Sequence, residues 1–275
     1  MKRQSWVKAG YAIQEAFFEG HEMAKWGTMP SRQGLSRRQI LRCAGVAAVA
    51  SLWGRAGGVT ASAGDAGGAQ ANAPFCVARP RQSEGPYFVD ARLERSDLRS
   101  DPTDGTRKPG VPVALTFHVS RFDEDTCTPL AGAVVDLWQC DARGVYSGVR
   151  DFAGRFDTRE QRFLRGYQVT DSRGMARFTT LYPGWYSGRA VHIHFKIRTD
   201  PEAERGLEFT SQLYFDDALT DRVHQQPPYA ERGPRNVRND GDGIYRRSGG
   251  DELVLDLTES GEGYTGDFHL ALAMN

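Results

Sequence analysis

Two histidines separated by a single residue, His192 and His194, are the clearest candidates for chemistry in this sequence. If the segment is a strand, its side chains alternate between two faces, so both imidazoles point one way while Ile193 and Phe195 point the other. Two imidazoles on one face, backed by an apolar face, make half of a metal site. Hydrogen-bonded histidines on an ordinary sheet would show the same spacing, so the pair needs further ligands.

Those ligands could be histidines or tyrosines. If a third ligand is a histidine, the candidates are His118, His224 and His269. The tyrosines offer more, because Tyr186 lies six residues before His192 in a Pro-Gly turn and Tyr146 follows a predicted strand and turn. Phenolate is a hard anionic donor, and a cation lowers the phenol pKa so that it binds deprotonated. Two tyrosines and two histidines would therefore suit Fe(III).

Short strands separated by turn residues must position these side chains. Runs rich in β-branched and aromatic residues alternate with clusters of Gly, Pro, Asp and Asn. The predicted strands are 111–119, 133–139, 166–170, 176–181, 190–198, 211–215, 253–257 and 264–271. Long loops are expected at 145–163, 199–210 and 216–250, where function commonly lies. The pattern predicts an all-β antiparallel sandwich over 76–275 with almost no helix.

A different kind of segment precedes this body. Residues 1–64 carry nine basic and three acidic residues, and Arg37-Arg38 stands before a short apolar run and a small-residue tract that ends at Ala63. This order is typical of an export signal, and the paired arginines resemble the signal read by the twin-arginine pathway. We expect a signal over 1–63, a flexible linker over 64–75 and an exported mature protein. The start codon stays open between Met1, Met23 and Met29.

Composition excludes some functions and leaves the cysteines undecided. The 275 residues carry 35 Lys and Arg against 35 Asp and Glu, so no net positive charge is available to hold a nucleic acid. The apolar run after Arg37-Arg38 is too short to span a bilayer, and we expect no stable membrane anchor. Export makes one disulfide reasonable among the three cysteines of the body, whose pairing the sequence does not give: Cys76, Cys127 and Cys140.

The body resembles the intradiol ring-cleavage dioxygenases, which include catechol 1,2-dioxygenases and protocatechuate 3,4-dioxygenases. The stretches that carry the resemblance are EGPYF (84–88), VDLWQCDARGVYS (135–147), DSRG (171–174), PGWYSGRAVHIHF (183–195) and SQLYF (211–215). A tyrosine followed by an arginine three residues before H-I-H is the most specific of these features. The resemblance implies a dioxygenase that opens a small aromatic diol with O2 between its two hydroxyl-bearing carbons to a cis,cis-muconate-type diacid.

The resemblance also implies roles for particular residues. It places non-haem Fe(III) on Tyr146, Tyr186, His192 and His194. It makes Arg189 the cation that stabilises negative charge on the ring, with Gln212 near the site, and lets Tyr186 take a substrate proton on displacement from the metal. The segment Gly85-Pro86-Tyr87 is implied to line the substrate pocket. Because Arg189 lies an odd number of positions before His192, it reaches that face if the chain bends at 188–190 or if its long side chain curls around the strand edge, and the resemblance favours the bend.

Two other classes stay open at this stage. The stretches 129–138 and 170–186 also resemble sandwich modules with a transthyretin-like, or prealbumin-like, core. Such modules serve only structure or binding. Another metal oxygenase, such as a cupin or an extradiol enzyme, would need two histidines and a carboxylate, and the first acids after His194 are Asp200 and Glu202. The sequence does not identify the catechol-type substrate or the oligomeric state, a homo-oligomer included.

Overall fold

A computed structural model describes residues 76–123, 126–199 and 206–274. These residues contain nine strands, which form two sheets. In chain order the strands are β1 (Pro112–Asp123), β2 (Thr126–Pro129), β3 (Val134–Trp138), β4 (Arg165–Val169), β5 (Met175–Leu181), β6 (His192–Arg198), β7 (Glu208–Tyr214), β8 (Thr258–Ser260) and β9 (Gly263–Ala273). The export signal and linker predicted over 1–75 lie outside the described residues.

The two sheets confirm the predicted sandwich. One sheet has the order β4-β3-β6-β7 and is antiparallel throughout. The other has the order β2-β1-β9-β8, with β5 also paired to β1. Its central pair β1 and β9 is parallel, with Val113 opposite Tyr264, so the wholly antiparallel arrangement expected from the sequence has this one exception.

Alternation along the strands determines which side chains fill the core. In β1 the residues Leu115, Phe117 and Val119 are buried at every second position. The ring of Phe117 lies 5.2 Å from that of Phe195 on β6 and 5.7 Å from that of Phe268 on β9. The contact between Phe117 and Phe195 joins the two sheets, and it fixes the buried face of β6 so that its other face is left for the site.

The loop over 216–250 contains helices that sequence reasoning missed. It holds α1 (Asp217–His224), α2 (Gly243–Arg247) and two 3₁₀ turns, Tyr229–Arg232 and Asn239–Gly241. Asp216 caps α1 by accepting from the backbone N–H of Leu219, and Asp242 caps α2 in the same way. Both helices are too short to give a long apolar period, so their signal is the capping aspartate.

The predicted strand over 253–257 is wrong. Its alternating leucines do bury, but Leu253 ends a 3₁₀ turn, Gly250–Leu253, and only Val254 forms a bridge, to Tyr214. The segment therefore seals the end of β7 with side chains and adds no strand. The short strands β2 and β8 were missed because both are exposed and lack an apolar pattern.

Cys76 and Cys127 form a disulfide, and Cys140 is a buried free thiol. The disulfide attaches the first described residues to β2, ahead of the segment that carries Gly85 and Tyr87. Among the described residues, no helix is long and apolar enough to cross a membrane.

Candidate active site

Strand β6 presents the two histidines on the face that points away from the main core. Ile193 and Phe195 are fully buried between the sheets, while His192 and His194 face a second, smaller cluster and are 2% and 1% exposed. The predicted division of the two faces is therefore observed. The imidazoles lie side by side, with 3.0 Å between their Nε2 atoms.

The imidazoles are neutral in this environment. Burial, and then the positive charge of Arg189, hold the pKa of His192 well below its ordinary value. Burial acts on His194 in the same direction, reinforced by His192. Nδ1 of His192 lies 2.6 Å from the carbonyl oxygen of Ala190, so this nitrogen carries the proton and donates it, which leaves the lone pair on Nε2.

His194 is held by stacking. Trp138 on β3 is its cross-strand neighbour, and the two rings are 5.0 Å apart and 7° from parallel. Gly85 approaches from the other side with a φ of +70°, and a β-carbon there would lie 3.2 Å from Cε1 of His194. A side chain at this position would press on the ring, so glycine is required both by conformation and by space.

Tyr186 reaches the same point from the turn before β6. Its hydroxyl lies 3.1 Å from Nε2 of His192. Gly184 packs so closely that a β-carbon would lie 2.3 Å from the carbonyl oxygen of Ala142, so the turn must pass against the loop after β3. Burial raises the pKa of Tyr186, while the charge of Arg189 lowers it. As a whole the residue is half-buried, in contrast to the two histidines.

Tyr146 completes the group from the loop after β3. It is fully buried. The centroid of its ring lies 5.7 Å from that of Tyr186 and 6.2 Å from that of His194. Its hydroxyl has no hydrogen-bond partner among the described residues, although a buried hydroxyl normally has one. Burial raises the pKa of Tyr146 well above its ordinary value. A buried oxygen of this kind, in a cluster with the free lone pair of His192, is an arrangement that a bound metal ion would complete.

The donor set fits Fe(III). No group of three or more His, Cys, Asp or Glu side chains in the described residues could hold a metal ion, so a metal here would need the phenol oxygens. Two phenol oxygens and two neutral imidazole nitrogens meet in one buried cluster, and anionic oxygen with imidazole is a hard-to-intermediate set that suits iron. The residues that would hold it are Tyr146, Tyr186, His192 and His194.

Arg189 lies beside these donors. It is 8% exposed, in the predicted bend at 188–190, where Gly188 has a φ of +89°. Its Nη2 donates to Oε1 of Gln212 at 2.5 Å, and its Nη1 lies 3.5 Å from Nε2 of His192. Gln212 is fully buried on β7 opposite His194, and its amide donates to the carbonyl oxygen of Ser83. The structure thus brings both predicted residues to the cluster.

The predicted pocket-lining segment borders the cluster at two of its three positions. Tyr87 stacks on Tyr146 with 4.6 Å between ring centroids, and Gly85 lies against His194. Pro86 is exposed in the turn between them. The hydroxyl of Tyr87 donates to Asp151 at 2.8 Å, which fastens this segment to the loop over 145–163.

The other histidines are elsewhere in the fold. His118 and His269 stack on each other at 4.3 Å on the neighbouring strands β1 and β9 of the other sheet. His224 on α1 contacts the carbonyl oxygen of Pro183 through Nε2. The structure therefore brings tyrosines, and none of these histidines, to the His192 and His194 pair.

Sequence reasoning missed three residues that contact the site. Trp138 lies in the quoted stretch 135–147 but was given no role, and its aromatic side chain on a strand opposite a histidine was the available signal. Tyr214 lies opposite His192, and its hydroxyl accepts from Nη2 of Arg189 at 3.3 Å. Asp242 binds Arg189 from the loop over 216–250, and its only signal was its capping position before α2.

Comparison with known proteins identifies the family. A family model described as Dioxygenase matches residues 83–232. The chain is also similar to the solved structure of an intradiol ring-cleavage dioxygenase from Tetranychus urticae, at 30% identity and a TM-score of 0.62, covering 72% of this chain and 95% of that one. The chain belongs to the intradiol ring-cleavage dioxygenase family. Membership decides against the transthyretin-like module and the cupin.

The chain is also similar to two curated intradiol dioxygenases whose names give different substrates. One is the chlorocatechol 1,2-dioxygenase of Pseudomonas putida, 31% identical over 153 residues, which are 48% of this chain and 52% of that protein. The other is the protocatechuate 3,4-dioxygenase beta chain of Burkholderia cepacia, 29% identical over 187 residues, 64% of this chain and 72% of that one. The chain spans about half the length of the catechol and chlorocatechol dioxygenases it matches.

Proposed function

We propose that this protein is a non-haem Fe(III) dioxygenase that cleaves a catechol-type ring between its two hydroxyl-bearing carbons with O2, to a cis,cis-muconate-type diacid. One observation carries the proposal. Tyr146, Tyr186, His192 and His194 converge in one buried cluster in which the Tyr146 hydroxyl is unpartnered. Family membership supports the reaction class, and the names of the relatives support a catechol-type substrate.

The protein residues prepare the binding site. The hydrogen bond from Nδ1 of His192 to Ala190 keeps Nε2 free, and Trp138 holds the ring of His194 in plane. Iron, when bound, supplies the positive charge that keeps the phenols deprotonated and binds a catechol through both oxygens. Gly85 and Tyr87 cover the cluster from the side of the substrate and reduce the access of water.

Tyr186 is the residue best placed to take a proton. Its hydroxyl lies 3.1 Å from Nε2 of His192, and the residue as a whole is half-buried, whereas Tyr146 is fully buried. With iron held by these residues, the phenolate oxygen of Tyr186 would accept the proton of one catechol hydroxyl. This assigns different roles to two residues of the same type.

Arg189 acts on charge. Its guanidinium is buried beside His192 and is fixed by Gln212, so it contributes an oriented positive charge that needs no rearrangement during the reaction. Electron density that moves onto the ring carbons is stabilised by such a charge in a site with little water. Gln212 orients Arg189 through its side-chain oxygen and is itself fixed by Ser83.

We also propose that the protein acts outside the cytoplasm, on a small aromatic diol and O2. The disulfide between Cys76 and Cys127 supports this location, because disulfides persist in oxidising compartments. No nucleic acid is expected as a partner, and homo-oligomer formation is left to measurement by light scattering.

The test combines metal analysis with product identification. Protein purified without chelators should contain one iron per chain, be coloured by tyrosinate-to-Fe(III) charge transfer, and consume oxygen with at least one of catechol, protocatechuate, chlorocatechol and hydroxyquinol. With ¹⁸O₂, mass spectrometry should find both labelled atoms in a ring-opened diacid. A colourless iron-loaded protein, or an iron-loaded protein that opens none of these rings, would overturn the proposal.

A further inference from the structure

A buried carboxylate, Asp242, lies beside the proposed active site without being one of its predicted residues. Its exposure is 0%, and it belongs to the loop over 216–250, beyond the residues 83–232 that the family model matches. Burying a carboxylate reduces the stability of a protein unless the group is paired and hydrogen-bonded. The contacts of Asp242 therefore indicate its role.

Its two oxygens have separate partners. Oδ2 accepts from Nε of Arg189 and from the backbone N–H of Ala190, both at 2.8 Å. Oδ1 accepts from the backbone N–H groups of Ile244 and Tyr245 at 2.7 and 3.2 Å and so caps α2. One carboxylate therefore fixes the side chain of Arg189, the backbone next to it and the start of a helix.

The remaining nitrogens of Arg189 show the result of this arrangement. Nη2 is held by Gln212 and Tyr214, and Nε is held by Asp242, so the guanidinium plane is fixed along two of its edges. Nη1 is left to face His192. A guanidinium has a planar fork of donors, so fixing two edges determines where the third points.

We propose that Asp242 is a positioning residue that holds the guanidinium of Arg189 in the orientation required by the substrate ring, an inference that rests on the proposed function. A carboxylate that only neutralised a buried charge would have no need to bind the neighbouring backbone N–H as well. The double contact to Arg189 and Ala190 fixes the bend that brings Arg189 to the face of the histidines.

The first test is Asp242→Asn, which is nearly isosteric and keeps an oxygen for the cap. Iron content and the charge-transfer band should match those of the wild type, while kcat falls about 10- to 100-fold and KM changes little, because the lost interaction acts in the transition state. The matched control is Asp136→Asn, which breaks another buried carboxylate pair, with Arg198 at 2.7 Å, and should leave kcat unchanged. A kcat for Asp242→Asn within twofold of the wild type would overturn the proposal.

The second test measures guanidinium binding by the cradle, which is the space that Asp242 and Gln212 form around the side chain of Arg189. It requires neither iron nor turnover. Arg189→Ala leaves a guanidinium-sized space between Asp242 and Gln212. Guanidinium chloride at millimolar concentration should raise the melting temperature of iron-free Arg189→Ala in a saturable way and should not do so for Arg189→Ala/Asp242→Asn or for the wild type, whose cradle is full. Sodium chloride at equal concentration is the control for ionic strength.

The same salt should restore turnover to iron-loaded Arg189→Ala several-fold. Rescue should be lost in iron-loaded Arg189→Ala/Asp242→Asn, and Asp242→Ser, which keeps an oxygen for the cap, replaces Asp242→Asn in both tests if that variant does not fold. Absence of saturable stabilisation in Arg189→Ala, or equal stabilisation of the single and double variants, would overturn the role of Asp242. If the iron-loaded wild type opens no catechol while the iron-free thermal shifts follow Asp242, the proposed function fails and the hold of Asp242 on Arg189 stands.

Discussion

Nη1 of Arg189 lies 3.5 Å from Nε2 of His192, although three positions separate the two residues in the sequence. In a regular strand that spacing would put them on opposite faces. The strand begins only at His192, and the turn at Gly188 with a φ of +89° bends the chain just before it. The bend thus places the positive charge of Arg189 beside the neutral imidazole of His192. Without the bend, the sheet would separate the two groups.

This proximity makes Arg189→Leu a test of catalysis separate from metal binding. The variant should keep iron and colour but lose about 10²-fold or more in turnover, because an oriented charge is removed from the reacting ring. Arg189→Lys should recover only part of the loss, since a point charge lacks the planar fork. The measurement is oxygen uptake with catechol and protocatechuate on samples matched for iron.

A suitable control is Arg198→Leu, at the far end of β6 and paired with Asp136. Its turnover should match that of the wild type. Wild-type rates in Arg189→Leu would place Arg189 outside the chemistry and leave only the metal site.

His192→Ala should remove both iron and colour. The substitution deletes the nitrogen that faces His194 at 3.0 Å and Tyr186 at 3.1 Å, so the donor set loses its shared member. Metal analysis and the visible spectrum give the answer, with His224→Ala as the control for loss of a histidine elsewhere. A fully metallated, coloured His192→Ala protein would exclude this ligand set.

Asp151 should make stability depend on acid pH. Hydrogen bonds from Arg155, and then from Tyr87, hold its pKa well below the ordinary range against the opposing effect of burial. A depressed pKa contributes stability that is complete above the unfolded value of about 3.9 and is lost as pH falls towards the folded value. The melting temperature of Asp151→Asn should therefore lie below that of the wild type at pH 7, and the gap should shrink below about pH 4.

The control for this comparison is Asp157→Asn on the same loop, whose exposed ion pair with Arg159 should contribute little. A gap between Asp151→Asn and the wild type that stays constant from pH 7 to pH 2.5 would contradict the assignment.

The disulfide should contribute to stability through the unfolded chain. Cys76 and Cys127 are 51 residues apart, and closing a loop of this size restricts the unfolded ensemble by about 2–4 kcal/mol. Cys76→Ser/Cys127→Ser should lower the free energy of unfolding by that amount in urea titrations. A reductant should destabilise the wild type to the same level and leave the double variant unchanged, and equal stability of the two oxidised proteins would show that the bond contributes nothing.

The export proposal is tested at Arg37 and Arg38. Replacing both with lysine should retain the folded protein in the cytoplasm, because the twin-arginine pathway reads the arginine pair. Fractionation followed by immunoblotting measures the distribution, with Arg55→Lys as the control for a basic residue beyond the apolar run. Unchanged secretion of the double variant would refute this pathway, and an exported protein that still begins at Met1 would refute cleavage.

Local periodicity predicted the part of the site that lies on one strand. The spacing of His192 and His194 gave their common face, and the glycine at 188 made the bend at Arg189 foreseeable. Tyr146 was named as a candidate from its place after a predicted strand and turn, but spacing alone could not show that its loop folds back onto β6. Asp242 was not predictable, since its partner is 53 positions away and nothing in the local sequence around either residue signals the other.

The same distinction explains the outcome for the fold. Strands with a buried face were recognised from alternation, whereas 253–257 alternated in the same way but begins in a 3₁₀ turn and meets the edge strand β7 only at the bridge from Val254 to Tyr214. The pairing of β1 with β9 is also non-local, and no residue pattern states whether two such strands run parallel.

The central position of β9 in its sheet has a consequence for biosynthesis. β1 is flanked by β5 and β2 on one side and needs β9 on the other, yet Tyr264 is made long after its neighbour Val113. While the ribosome is still producing the loop over 216–250, β9 does not yet exist, so one edge of β1 is unpaired. Pairing between strands so distant in the sequence is slow. The sheet that contains β1 can therefore close only after residues 263–273 have been translated.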